Sequence, residues 1–286
     1  MLLLKRDTAA AGTKSGARAK STDADLARTL ARGAGEILLG LQSEPTTVDG
    51  QSLGAEGDRR SQEFLTKAVR RARPKDHVLS EEAPDDPGRL QADRVWIIDP
   101  LDGTREFAEG RRDWAVHVAL WREGELVAGA VALPRLGMVF SGQGQDQDGT
   151  GQTAAHSGPR TAAGLRIAVS RTRAPRLAAA VADRIGAKLV PMGSAGFKVC
   201  AVAGGEADAY LHDGGQYEWD SAAPVVVARA AGLHVSRLDG SAPCYNQQNP
   251  YLPDLLVCRP ELSGALLEAI RHLTPLGTQS EGTPDE

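Results

Sequence analysis

The run Arg94-Val95-Trp96-Ile97-Ile98 constrains this 286-residue chain more than any other segment. Four consecutive large apolar residues suit a central strand. The run leads straight into Asp99-Pro100-Leu101-Asp102-Gly103-Thr104, so the strand that builds the core also delivers two carboxylates to its end. Carboxylates this close repel each other unless a cation stands between them. Pro100 stiffens the turn and can aim both side chains into one space, and Gly103 permits a close backbone approach. The amides of Gly103 and Thr104 can then hold a phosphate oxygen. Hard cations such as Mg2+ prefer carboxylate and carbonyl oxygens, and they neutralise phosphate charge during displacement.

Around this strand the chain alternates α and β. A helix is expected from about Thr22, with Leu26, Leu30, Ala34, Ile37 and Leu41 as its apolar stripe. A second is expected from about Asp58 to Arg73, with Phe64, Leu65, Ala68 and Val69 facing the core. His77 to Leu79 reads as a short strand, and two strands, Ala115 to Trp121 and Leu126 to Leu133, flank a hairpin signal at Arg122 to Glu125. Residues 22–141 thus form a first half and 165–272 a second, separated by a Gly- and Gln-rich surface loop over 142–164. In the second half, strands at Leu165 to Val169, Lys188 to Met192 and Ala207 to Leu211 alternate with helices. The helices run from Pro175 to Ile185, from about Ser194 to Val202, and from Asp220 to Ala231. The last carries Pro224 in its first turn and is capped by Gly232. The tails, 1–21 and 273–286, have the composition of disordered chain.

Two further acidic segments fit a metal site. Ser80-Glu81-Glu82 follows a short strand, and Glu218-Trp219-Asp220-Ser221 opens a helix. Each has a plain alternative: a solvated loop for the glutamates, a helix cap for Asp220, an ordinary turn for Asp99 and Asp102. Three such segments together favour the metal. The chain has no GxxxxGK[ST], which argues against a phosphate-binding nucleotide loop. Two residues before Asp102, where a DxDGT-type phosphatase keeps its nucleophilic aspartate, stands Pro100. Direct attack by a metal-activated water is therefore expected over a covalent aspartyl-phosphate.

These residues resemble the inositol monophosphatase superfamily, which is magnesium-dependent and lithium-sensitive. WIIDPLDGT and WDSAAPVVVARAAG match its two signatures in order and separation, over roughly residues 23 to 272. The resemblance implies an α/β layered sandwich, α-β-α-β-α, of the sugar-phosphatase type. Glu218 before Trp219-Asp220, and the lysine of Gly193-Ser194-Ala195-Gly196-Phe197-Lys198, are most similar to the CysQ-type 3'(2'),5'-bisphosphate nucleotidases. That likeness implies hydrolysis of 3'-phosphoadenosine 5'-phosphate to AMP and phosphate, with the 5'-phosphosulfate a further substrate, as part of sulfate assimilation.

It also implies two or three Mg2+. Glu81, Asp99 and the Leu101 carbonyl would hold one, and Asp99, Asp102 and Asp220 another. Thr104 would orient the attacking water, with Asp58 as its proton acceptor, and the Gly103 and Thr104 amides would hold phosphate. Ser194, Lys198 and Asp213 are implied substrate contacts, Lys198 to a second phosphate and Asp213 to a sugar hydroxyl. Where the family carries Thr-x-x-Asp, this chain has Ala55-Glu56-Gly57-Asp58, so Asp58 has a competing reading as N-cap of the second helix. An inositol-1-phosphate or fructose-1,6-bisphosphate phosphatase is the nearest alternative, and a catalytically silent metal- or nucleotide-binding regulator is one of another class. Tyr217, Lys198, Arg171 and Arg237 are candidates for base stacking or a second phosphate.

Composition narrows the partners. A net charge of −4 and 4% aromatic residues argue against nucleic acid. No apolar stretch approaches membrane-spanning length, and Met1-Leu2-Leu3-Leu4-Lys5-Arg6 is no secretory signal. Three scattered cysteines, Cys200, Cys244 and Cys258, suit reduced thiols in the cytoplasm. A small phosphorylated molecule is the expected partner; monomer and homodimer are both open.

Overall fold

The structure, a computed structural model, describes residues 22–44, 50–142, 144–147, 150–151, 164–172 and 174–273. Helix α1, Asp23–Ser43, starts at Thr22, whose hydroxyl accepts the Asp25 amide. It buries Leu26, Leu30, Ala34, Leu38 and Leu41; Ile37, expected in that stripe, is only half-buried. Helix α2 spans Gly50–Ala72 and begins eight residues before the expected Asp58. Asp58 is therefore a buried mid-helix residue and not an N-cap. Gly50, Gly54 and Gly57 hide the helix start because glycine is a poor helix former. Packing supplies what propensity lacks. A Cβ on Gly54 would lie 2.7 Å from Thr104 Cγ2, and one on Gly57 would lie 3.0 Å from Leu101 Cδ2.

The first sheet runs in chain order: β1 His77–Ser80, β2 Arg94–Asp102, β3 Ala115–Arg122, β4 Glu125–Leu133, β5 Met138–Ser141, β6 Gly144–Gln147 and β7 Thr150–Gly151. Only β1 and β2 are parallel. Glu123 and Gly124, at φ 49° and 99°, turn the β3–β4 hairpin as its sequence predicts. Strands β6 and β7 correct the reading of 142–164 as a loop. Their Gly, Gln and Asp residues give no apolar alternation, so backbone pairing at the sheet edge leaves no trace in the pattern. Residues 143, 148–149 and 152–163 of that segment lie outside the described residues, as do 1–21 and 274–286 of the tails; Leu273, expected at the start of the second tail, is the last residue of a helix instead.

The short helix α3, Thr104–Ala108, follows β2. In the second half come β8 Arg166–Ser170, α4 Arg176–Ile185, β9 Lys188–Met192, α5 Ala195–Ala203, β10 Ala209–His212, β11 Gln216–Tyr217 and α6 Glu218–Ala230. Then follow β12 His234–Ser236, β13 Tyr251–Leu252, β14 Leu255–Cys258 and α7 Ser263–Leu273. The second sheet has the order β12-β14-β10-β8-β9, and β11 pairs with β13 in a separate ribbon. Pro224 is the seventh residue of α6, not a first-turn residue as read from the sequence. It has no N–H to offer the Asp220 carbonyl one turn back.

Three apolar clusters fill the spaces between five layers. The first joins α1 and α2 to the outer face of the first sheet through Leu30, Leu38, Leu65, Trp96, Ile98, Val118 and Leu120. The second joins its inner face to α5, α6 and the second sheet, through Val95, Ile97, Ala119, Val199, Val225 and Val257. The third packs α4 and α7 on the far side, with Val181 and Ile270 against Ile167 and Val169. The α-β-α-β-α sandwich is thus the observed fold. Alternation along β2 sends Trp96 and Ile98 outward and Val95 and Ile97 inward. Asp99 continues the inward series, so it meets the α5–α6 layer.

Candidate metal centre

Strand β2 loses register with β3 between Asp99, opposite His117, and Asp102, opposite Ala115. Pro100 cannot donate to the ladder, and its carbonyl accepts Ser61 Oγ of α2 at 2.7 Å. This irregularity turns both aspartates into one buried space. Asp99 Oδ1 takes the Leu101 amide at 3.0 Å, whereas Oδ2 is buried with no hydrogen-bond partner. Asp99, Asp102 and His117 each bring a ligand-type atom within 4.8 Å of the others.

Asp102 is held differently. Its Oδ2 accepts Ser194 Oγ at 2.5 Å and the Gly196 amide at 2.9 Å, and lies 3.2 Å from His117 Nε2. Burial opposes its charge, but His117, Lys198 and Ser194 prevail and bring its pKa down to about 2. Ser194 also caps α5 by accepting the Phe197 amide at 3.0 Å. The His117 ring reaches Trp219 O on α6 through Nδ1 at 3.1 Å. A Cβ on Gly196 would stand 2.0 Å from His117 Nε2, so only glycine fits there. His117 was missed from sequence; one polar residue within Ala115-Val116-His117-Val118-Ala119 was its only signal.

Among the described residues only Asp99, Asp102 and His117 bring three ligand-type atoms within 4.8 Å of one another, and the remaining acids act on them through their charge. Glu81 is exposed overall, yet its carboxyl is pushed up to about 8, by loss of hydration and then by Asp220, Asp102, Asp58 and Glu82. Asp99 is raised well above the usual carboxylate range, by burial and then by Glu81, Asp102 and Asp220. Asp220 rises to about 7, again by burial first and Asp102 second, although its Oδ2 accepts the Tyr217 amide at 2.7 Å. Asp58 rises to about 7 through burial and Glu82, and Thr104 partly offsets this. The Thr104 hydroxyl donates to Leu101 O at 3.2 Å, and Gly103 adopts φ 91° at the head of α3 with Trp114 against it.

The other expected contacts stand elsewhere. Lys198 is buried, its ammonium donating to Gly193 O at 3.2 Å and Ser194 O at 2.6 Å, so it faces backbone and not open pocket. Burial lowers its pKa. Asp213 sits in an exposed turn before β11, and its carboxyl neighbours are the Leu177 amide and Asp254. Arg171 pairs with Glu106 and Glu109, and Arg237 with Asp254. Tyr217 is 41% exposed and stacks on Trp219, ring centroids 4.8 Å apart. Glu218 turns away from the acids and accepts the Asn246 and Gln247 amides.

This donor set fits a hard divalent cation. The orphaned Asp99 Oδ2 and the raised acids around it favour a positive charge, and the donors on offer are mainly carboxylate oxygens, with the His117 ring beside them. His117, engaged by Trp219 O and Asp102, serves as a wall. No helix among the described residues is long and apolar enough to cross a membrane.

The model of the inositol monophosphatase family matches residues 20–274. The 3'-phosphoadenosine 5'-phosphate phosphatase of Mycobacterium leprae (strain TN) is 48% identical over 90% of this chain and 96% of its own length. The enzyme of that name from Mycobacterium bovis is 52% identical over 83% of this chain and 89% of its own. Among solved structures, CysQ from Bacteroides thetaiotaomicron, a bacterial member of the same family, superposes with a TM-score of 0.72 at 26% identity. That alignment covers 83% of this chain and 97% of CysQ. With the family model matched over most of its length and these relatives about half identical to it, the chain belongs to the inositol monophosphatase family.

Proposed function

We propose that this chain is a magnesium-dependent phosphomonoesterase that removes the 3'-phosphate of 3'-phosphoadenosine 5'-phosphate, giving AMP and phosphate. The buried pair Asp99 and Asp102, brought together beside His117 and near enough to Glu81 and Asp220 for their charges to act on one another, carries the chemistry. The substrate rests on the two mycobacterial relatives, which bear that activity in their names. The sulfated analogue, 3'-phosphoadenosine 5'-phosphosulfate, is a second substrate in this reading, and the role is to clear a by-product of sulfate activation in the cytoplasm.

Glu81, Asp99, Leu101 O, Asp102 and Asp220 would hold two or three Mg2+, which would supply charge neutralisation for the phosphate and acidify a water. The Gly103 and Thr104 amides orient the phosphate at the head of α3. Thr104 Oγ1 and Asp58 take up the proton of the attacking water, and an Asp58 pKa of about 7 suits an acceptor near neutral pH. Attack by the water oxygen forms one P–O bond as the bond to the ribose 3'-oxygen breaks, and that oxygen takes a proton from solvent to become the 3'-hydroxyl of AMP. Lys198 works from behind, holding Asp102 charged. Asp213, in its exposed turn, is the group offered to a sugar hydroxyl.

Catalytic efficiency on 3'-phosphoadenosine 5'-phosphate, inositol-1-phosphate and fructose-1,6-bisphosphate tests this, each with saturating magnesium. The nucleotide should be preferred by orders of magnitude. Preference for either sugar phosphate would overturn the substrate, and no turnover of any would indicate a silent binding protein.

A further inference from the structure

The segment carrying Glu81 and the helix carrying Asp220 come from opposite halves of the sandwich, and in the metal-free protein their carboxylates repel. A buried brace holds them together. Arg89 is fully buried, and its Nε and Nη2 grip both oxygens of Asp85 at 2.6 and 3.0 Å. Its Nη1 donates to Asn246 Oδ1 at 2.7 Å and Nη2 to Gln247 O at 2.9 Å. Asn246 Nδ2 donates back to Arg89 O at 3.2 Å. From the other side, Glu218 receives the Asn246 amide at 2.6 Å and the Gln247 amide at 2.7 Å. Asn246 takes a left-handed φ of 59°, which asparagine tolerates better than most residues, so both of its neighbours meet one fixed turn.

Asp85 lies four residues after Glu81, and Glu218 lies two before Asp220. The Asn246–Gln247 turn is thus the shared member between two arms of the metal centre. Arginine suits the junction because its planar fork satisfies the Asp85 carboxylate and two further acceptors at once, which an ammonium on a flexible stem cannot do.

We infer that Arg89 is a positioning residue which, through the Asn246–Gln247 turn and Glu218, sets the spacing of Glu81 and Asp220 and with it the affinity of the centre for its divalent cation. This role presupposes the metal centre proposed above.

Melting temperature measured against magnesium concentration without substrate gives the Mg2+ Kd for each variant. Arg89→Lys should raise that Kd by about tenfold or more, the range found when residues supporting metal ligands are lost. KM for the substrate at saturating magnesium should stay unchanged. Asp85→Asn, altered at the brace's exposed end, should raise the Kd in the same direction and decides the matter if Arg89→Lys does not fold. Asp208→Asn, which weakens the buried Arg259 pair in the second sheet, should lower the melting temperature and leave the Kd alone. An unchanged Kd in both brace variants, with a lower metal-free melting temperature, would reduce the brace to a purely structural one. A wild-type chain that does not respond to magnesium would refute the metal centre itself, and the brace's role with it.

Discussion

Asp102 and Asp99 stand at the end of one strand, three residues apart, and the protein treats them in opposite ways. Around Asp102 the fold has built a set of partners, the Ser194 hydroxyl, the Gly196 amide and the Lys198 ammonium from the second half and the His117 ring from the first. Around Asp99, Glu81 and Asp220 the opposing charge is outweighed: Asp220 feels His117 and Lys198, and His117 Nδ1 stands 3.9 Å from Asp99 Oδ2, yet burial and mutual repulsion push all three upward. One carboxylate is therefore neutralised from within and three are left for a cation from outside. The internal set fixes Asp102 before any metal arrives; the uncompensated set makes the arrival favourable.

The widest contrast is expected from matched amide substitutions. Asp99→Asn should lower kcat by about 10³-fold, the scale on which one preorganised charge-stabilising group acts. Its metal-free melting temperature at pH 8 should equal or exceed that of the wild type, because a repelled acid has been removed. Asp102→Asn should do the reverse to stability. It leaves the buried Lys198 ammonium without the counter-charge of Asp102, at a cost of about 3–5 kcal/mol in denaturant unfolding. If both variants lose stability alike, the two environments do not differ as described.

pH sharpens the same comparison. Glu81 and Asp220 have folded-state pKa values of about 8 and about 7, above their ordinary values near 4. Between those limits the folded chain holds more protons than the unfolded one, so stability falls as pH rises. Metal-free protein should thus be most stable toward the acid side of this window and lose stability up to about pH 8. Magnesium must displace those protons, so its stabilising effect should grow over the same range. Thermal melts with and without magnesium from pH 5 to pH 8 check both slopes. Asp102, ionised in both states across this window, adds a constant to stability and no slope.

The smallest effect belongs to the internal set. Ser194→Ala removes a helix cap and one hydrogen bond to Asp102, while Gly196, His117 and Lys198 remain. A loss of about 1–2 kcal/mol is expected in equilibrium unfolding.

Much of this centre could be read from the chain because its chemistry is local in sequence. Asp99 to Thr104 follow directly from an apolar strand, and strand period alone sends Asp99 to the inner face. The layered fold and the β3–β4 hairpin were legible for the same reason. What escaped depends on contacts between distant segments. Helix α2 begins at Gly50 because its glycines let Leu101, Phe107 and Thr104 approach, and that favourable packing is invisible to propensity. That misreading left Asp58 as a possible cap when it is a buried acid beside Thr104. Strands β6 and β7 have no apolar alternation in sequence from which their pairing could be read. His117 looks like an ordinary strand residue until α6 brings Trp219 O to its ring. Lys198 was read as a hand extended to substrate, whereas the fold turns it inward. Arg89, Asn246 and Glu218 gain their meaning only when two halves of the chain meet.

Anomalous diffraction from crystals soaked in manganese, a heavier stand-in for magnesium, most directly tests whether the uncompensated acids form a cation site. Peaks bounded by Glu81, Asp99, Asp102 and Asp220, with Asp99 Oδ2 in contact with the metal, are the predicted result. A map with no peak there at saturating manganese, or with Glu81 and Asp220 swung out to solvent, would contradict it.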